Sequence, residues 1–275
     1  MKIYMATDLE GVTAVTGGWS EISPGCREHD FAKKMLTADI NAAAKGAFEG
    51  GADEIVVWDG HGASLSVNVE ELDDRVRLIK GRAIGHLPLL DESFDAMMII
   101  GMHAMEGIND GVMNGTWAGE GQRFWINGKE VGELGLWMAM AAQMGVPTIL
   151  ATGDTAVERE AKDLVSNIHT VPVKIGISRY CCEIIPPAKS WQRITETAKE
   201  SMKSIGEVGV FNPSKPVDFT VQYPCNTQLA DWIAVRPGVK RVNGYTISYT
   251  GNSLKDAVGS LLHITWWNLG DKPMI

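Results

Sequence analysis

Four metal-capable side chains directly follow three apolar runs of this sequence, and a fifth opens a later helical stretch. Asp8 and Glu10 lie in Thr7-Asp8-Leu9-Glu10-Gly11. They are two apart, so in extended chain both carboxylates leave the same face. His61 closes Asp59-Gly60-His61, His103 follows Gly101-Met102, and Glu133 sits in Val131-Gly132-Glu133-Leu134-Gly135. Each alone has an ordinary explanation: an Asp caps a helix, a first-turn Glu complements the helix dipole, a His packs. Together they form a nitrogen and oxygen donor set that suits zinc. Five donors exceed what one tetrahedral ion with an open position needs. A carboxylate shared by two ions about 3.5–4 Å apart would use them all, with a metal-activated water as the nucleophile of a hydrolysis.

The donors need a frame. Lys2 to Thr7, Glu54 to Trp58, Leu78 to Ile84, Phe94 to Gly101 and Pro147 to Thr152 read as buried strands. Helical spacing runs from Asp30 to Gly50, where Gly50-Gly51 is a stop signal, and from Gly132 to Gly145. This alternation predicts an α/β fold: a mostly parallel sheet with helices on both faces. In such sheets the ligand crevice lies outside the carboxyl ends of the strands, where the donors stand. The later chain has an α+β character. Helices are expected over Ala156 to Ile168, Ser190 to Ile205 and Leu254 to Trp267, and strands over Thr170 to Ile177, Val217 to Tyr223 and Tyr245 to Thr250. The expected division is a metal-binding domain over 1–155 and a smaller α+β domain over 156–275 that contributes to assembly and the substrate pocket.

Composition limits the partners. With 275 residues the chain can bury a core without disulfides. Lys plus Arg number 25 against 34 Asp plus Glu, a formal charge of −9 that disfavours a nucleic-acid partner. No apolar run reaches the length of a membrane span or a signal-peptide core. Cys26, Cys181, Cys182 and Cys225 match no metal or disulfide spacing, so reduced thiols in a cytoplasmic protein are expected.

With these motifs in hand, the sequence resembles the DppA-type zinc D-aminopeptidase family. ATDLEGV resembles the family's Ser-x-Asp-x-Glu-Gly signature, with Ala6 at the Ser position. DGH at 59–61, GMHA at 101–104, GVM at 111–113 and NGKEVGELGL at 127–136 follow in order and spacing. The resemblance implies a two-domain α/β subunit and two zinc ions per chain. It implies Asp8 bridging both ions, Glu10 and His103 completing one, and His61 and Glu133 the other. It also implies release of N-terminal residues from D-amino-acid peptides, and a homo-oligomer, a decamer of stacked rings. A small peptide or amide is then the expected substrate.

One position departs from the family. Its proposed catalytic His, two residues after GVM, is replaced here by Gly115. The segment Asn114 to Phe124 instead offers Asn114, Thr116 and Glu120 as candidate substrate contacts. Alternatives are therefore a catalytically silent, metal-stabilised ring protein that binds a peptide or small ligand, or an amidohydrolase acting on a non-peptide small amide. A phosphoester hydrolase is disfavoured, since no Lys or Arg lies within TDLEG, DGH, GMH or VGELG to hold phosphate. Gly115, Gly119 and Gly121 with Asn114 do not make a phosphate loop, because no GK[ST] follows. His29, His86, His169 and His263 read as packing or solvated residues, and Trp117, Trp125 and Trp137 as core, interface or pocket wall.

Overall fold

The structure, a computed structural model, describes residues 1–81, 85–117, 122–224 and 227–262. In chain order the elements are β1 (Lys2–Thr7), α1 (Trp19–Ile22), α2 (His29–Glu49), β2 (Glu54–Asp59), β3 (Val76–Ile79), β4 (Ala96–Ile100), β5 (Arg123–Ile126), β6 (Lys129–Val131), α3 (Glu133–Gln143) and β7 (Thr148–Asp154). They continue with α4 (Thr155–Leu164), β8 (His169–Ser178), β9 (Cys181–Ile184), α5 (Pro187–Ser201), β10 (Val217–Gln222), α6 (Thr227–Ala234), β11 (Lys240–Arg241), β12 (Thr246–Gly251) and α7 (Leu254–Leu262).

A seven-stranded sheet runs in the order β3-β2-β1-β4-β7-β8-β9, parallel except for the antiparallel edge strand β9. Strand β1 alternates sides. Ile3 and Met5 point into the core shared with Leu36 and Ile40 of α2 and Ile194 and Ala198 of α5. Tyr4 and Ala6 point into the core shared with α3 and α7. Both faces are thus dry, which is why these strands read as nearly unbroken apolar runs. The α/β fold class expected from the alternation is the one observed.

A second, antiparallel sheet has the order β11-β12-β10-β5-β6. Its Phe124, Phe219 and Ile247 join the same core as Trp137 and Met138 of α3. Helix α3 lacks a polar face from Leu134 to Ala142 because its surroundings on all sides are protein.

The expected division near residue 155 does not coincide with the sheets. Strands β8 and β9 extend the large sheet beyond it, while β5 and β6, from before it, pair into the small one. The β5–β6 pair lay unread in the sequence because each strand has only three or four residues. Its signal is Asn127-Gly128, with φ of 49° and 80°, the turn that favours a tight hairpin. Strand β3 is also shorter and earlier than expected: residues 76–79 are strand, and 82–84 lie outside the described residues. The closing helix is seen from Leu254 to Leu262, and its expected extension to Trp267 lies outside them too. So do Glu120, Gly119, Gly121, Cys225 and His263.

Register brings the donors level. Thr7 of β1 pairs with Asp59 of β2 and with Ile100 of β4. Strand order reverses at β1, with β2 on one side and β4 on the other, so the crevice of a doubly wound sheet opens there. The loops after β1 and β4 nearly touch: Gly11 N–H donates to Gly101 O at 2.8 Å. A Cβ on Gly11 would sit 1.8 Å from Met102 O, and Gly101, at φ +75°, would drive one to 2.5 Å from Asp8 O. Side chains at these two positions would force the donor loops apart.

Candidate metal centre

Four sequence positions converge on Asp8. Its Oδ1 lies 3.0 Å from His61 Nδ1, and its Oδ2 lies 3.2 Å from His103 Nε2. Glu10 Oε2 approaches His61 Nδ1 at 3.1 Å, and Glu133 Oε2 approaches His103 Nε2 at 3.4 Å. Donor atoms of Asp8, Glu10 and His103 all lie within 4.8 Å of one another. All five side chains named from the sequence line one cleft of about 330 Å³.

The imidazoles are oriented from behind. His61 Nε2 lies 2.9 Å from Ile22 O, and His103 Nδ1 lies 2.9 Å from Ala104 O. A carbonyl only accepts, so these ring nitrogens carry the hydrogen and the opposite nitrogens face Asp8. Glu133 is held by the Trp117 N–H, which donates to Oε2 at 2.7 Å.

Burial and charge oppose each other here. Burial disfavours charge on both imidazoles, but Glu10 and Asp8 around His61, and Asp8 and Glu133 around His103, more than offset it and hold both well above the usual histidine range. Burial likewise opposes charge on Glu10, yet His61 and His103 hold its carboxyl well below the usual range. The cluster is one that attracts positive charge. Glu10 Oε2 is moreover buried without accepting any hydrogen bond. A buried carboxylate oxygen left unsatisfied, beside two imidazole nitrogens turned toward carboxylates, fits a zinc site in its chemistry.

Backbone clamps complete the frame. Lys174, fully buried on β8, donates its Nζ to the carbonyls of Glu10 at 2.6 Å, Val12 at 3.1 Å and Val15 at 2.6 Å. Asp39 accepts the Thr13 N–H on Oδ2 and the Trp191 Nε1–H on Oδ1. Glu160 accepts the N–H of Met105 at 2.9 Å and of Gly132 at 3.2 Å, tying the His103 loop to the start of the Glu133 helix. None of these three belongs to a recognisable motif. Only their long-range partners reveal them.

Gly115 lines the cleft, and a Cβ there would lie 3.8 Å from His103 Cε1. Asn114 and Thr116 are taken up within the chain. Asn114 Nδ2 donates to Ile108 O and Gly111 O, and Thr116 Oγ1 accepts the Glu106 N–H. His86 stacks on Trp117 with centroids 4.5 Å apart and accepts the Trp137 Nε1–H. Burial pulls its imidazole down to about 4, with Glu133 and Asp8 opposing weakly, so it is a neutral member of an aromatic wall. Trp125 lies on β5 against Arg123. His29 and His169 pack, with ring nitrogens on Glu21 O and Ser204 Oγ.

Known proteins are similar to this chain in sequence and in fold. The D-aminopeptidase family model matches residues 1–263. A D-aminopeptidase of Bacillus subtilis (strain 168) is 28% identical over 268 residues, covering 96% of this chain and 97% of that protein. The solved structure of DppA from Bacillus subtilis, described as a Zn-dependent D-aminopeptidase and a self-compartmentalizing protease, superposes with a TM-score of 0.89. Its identity is 27%, over 95% of this chain and 96% of that one.

Proposed function

Because the chain belongs to the D-aminopeptidase family, we propose that it is a zinc-dependent hydrolase of peptide or amide bonds that releases N-terminal residues of D configuration. The observation that carries this reading is the split of the Asp8 oxygens between His61 and His103. Two zinc ions per chain are proposed, bridged by Asp8, with Glu10 and His103 completing one and His61 and Glu133 the other. The 4.8 Å grouping of Asp8, Glu10 and His103 supports the first set. Glu10 Oε2 also stands 3.1 Å from His61 Nδ1, so Glu10 would help to hold the His61 side of the centre.

When bound, such ions supply Lewis acidity toward the scissile carbonyl and lower the pKa of water. The protein's own part is to hold the donors before substrate arrives. Ile22 O and Ala104 O set the two imidazoles, Trp117 N–H sets Glu133, and Lys174 sets the Glu10 loop. Gly115 has no side chain to move a proton. A carboxylate of the donor set therefore takes the proton from water and returns it to the leaving amine. The aromatic wall of Trp117 and Trp137 flanks the cleft.

A homo-oligomer is proposed as well, a decamer of two rings by the family's pattern. Ile175, Ile177, Tyr180 and Ile184 are exposed on β8, β9 and the turn between them, at the open edge of the large sheet. An exposed apolar edge of this kind is one that assembly covers. No helix among the described residues is long and apolar enough to cross a membrane.

The deciding experiment assays zinc-loaded and chelated protein on D- and L-aminoacyl amides, small carboxamides and phosphoesters. Zinc-dependent cleavage of D-aminoacyl amides is expected. Turnover confined to non-peptide carboxamides would transfer the chain to the amidohydrolase reading, and no turnover at all to the silent ring protein that Gly115 favours.

A further inference from the structure

The cleft holds one strong cation. Among its described lining residues, Arg179 is the only Lys or Arg, in a wall otherwise supplied by the metal donors, aromatic rings and small residues. It sits in the turn between β8 and β9, and its backbone is docked: Met113 N–H donates to Arg179 O at 2.7 Å. Its guanidinium is docked too. Nη1 donates to Asn114 Oδ1 at 3.0 Å, and Nε donates to Tyr180 Oη at 3.3 Å. Asn114 is itself buried and fixed by the carbonyls of Ile108 and Gly111, so this support is rigid.

A guanidinium has five donors. Nη2 donates to no described residue, and the acid facing it, Glu106, stands 3.6 Å from Nη1, beyond hydrogen-bond distance. The chain thus spends a buried Asn on aiming an Arg whose outer edge is left for a ligand. That ligand is an anion: a planar fork takes a carboxylate or a phosphate, and of these the peptide substrate of the reading above offers the carboxylate.

Position decides which carboxylate. Arg179 rests on Asn114, whose neighbour Gly115 lies beside His103. A ligand that meets the metal donors at one end therefore meets Arg179 after a short span. At about 330 Å³ the cleft is at the small end of ligand sites, which run from about 300 to 1,000 Å³.

We infer that Arg179 binds the C-terminal carboxylate of the substrate. This rests on the peptidase reading above. Arg179 is then a specificity-determining residue: it selects a free carboxylate, while the chemistry stays at the metal donors. Aminoacyl amides lack the group it recognises and would be cleaved with higher KM.

The test compares wild type, Arg179→Met and Arg179→Lys on D-alanylglycine and its C-terminal amide. Wild type should favour the free acid by about 10- to 100-fold in kcat/KM, the range of a charge-assisted hydrogen bond. Arg179→Met should lose that preference through KM, with the amide changed less than about twofold. Arg179→Lys should keep part of it, having the charge without the fork. A merely structural role would lower both substrates equally, and that result overturns the inference. Calorimetric titration of uncleavable analogues, with a reduced bond in place of the amide, gives a readout independent of turnover. If wild type cleaves neither peptide, the peptidase reading falls, and the analogues still decide Arg179. Equal affinity of the acid and amide analogues for wild type overturns it. A third analogue, amidated but with an aspartate side chain in the second position, tests the other source of a carboxylate. Binding as tight as the free acid would overturn the C-terminal assignment.

Discussion

Nε2 of His103 lies 3.2 Å from Oδ2 of Asp8, so that the other Asp8 oxygen is left to face the opposite side of the cleft. There it meets His61 at 3.0 Å. Asp8 is the donor whose two oxygens are divided between the two imidazoles. From this follows a ranking of substitutions. Elemental analysis of zinc-loaded wild type should find two ions per chain. Asp8→Ala should lose more zinc than Glu10→Ala or Glu133→Ala, because its two oxygens are divided between the two imidazoles. Equal retention by Asp8→Ala and Glu10→Ala would show that Asp8 is not a bridge.

A Cβ on Gly115 would meet His103 Cε1 at 3.8 Å, an ordinary van der Waals contact without a clash. Gly115→His should therefore fold with an unchanged Tm. Wild type is expected to cleave D-aminoacyl amides already, with turnover lost in His103→Ala. A wild type inert on every amide, beside a Gly115→His variant that gains a zinc-dependent rate, would mean instead that the chain lacks only a base. Such a base is worth about 10²–10⁴-fold.

Lys174 ties three carbonyls of the Glu10 loop at once. Lys174→Met leaves those acceptors buried without donors, at about 1–3 kcal/mol each before relaxation. Chemical denaturation should show a loss of several kcal/mol, on the order of the cost of breaking a buried charged network. Zinc titration should show weaker binding, because Glu10 is no longer held. Unchanged zinc affinity in a folded Lys174→Met would remove the loop clamp from the account.

Asp39 links this loop to pH. Burial pushes its carboxyl up to about 6 against the hydrogen bonds from Thr13 and Trp191 and the charge of Lys174. Between the ordinary value of 3.8 and about 6, the folded chain holds a proton that the unfolded chain has released. This contribution to stability is fully present below about pH 4 and is lost as pH rises through about 6. Its full size is about 3 kcal/mol by the unit conversion of a pKa shift. Denaturation of wild type and Asp39→Asn from pH 4 to 7 checks it: the stability of wild type relative to the variant should fall across that window. A flat difference would mean that Asp39 titrates normally.

Light scattering at micromolar concentration should find a closed oligomer and no concentration-dependent series. Ile177→Lys, at an exposed position of the sheet edge, should shift it toward smaller species. A monomeric wild type would end the assembly proposal.

The sequence alone determined the α/β class and singled out five side chains that the structure gathers in one cleft, because both signals are local. Buried parallel strands leave unbroken apolar runs such as EIVVWD and AMMII, and the crevice side chains follow directly at their carboxyl ends. Tertiary structure decided the rest. Pairing Thr7 with both Asp59 and Ile100 is what makes the loops level. The sheets, not the sequence order, decided which strands belong together, so β5 and β6 cross the boundary that the change in element pattern implied. Lys174, Asp39, Glu160 and Arg179 owe their roles to partners far along the chain: Lys174 and Glu10 are 164 residues apart, and Arg179 and Asn114 are 65 apart. A periodicity reaches across a few turns of chain. A charge clamp across the fold leaves no periodic trace, and only the folded coordinates bring its two ends into view.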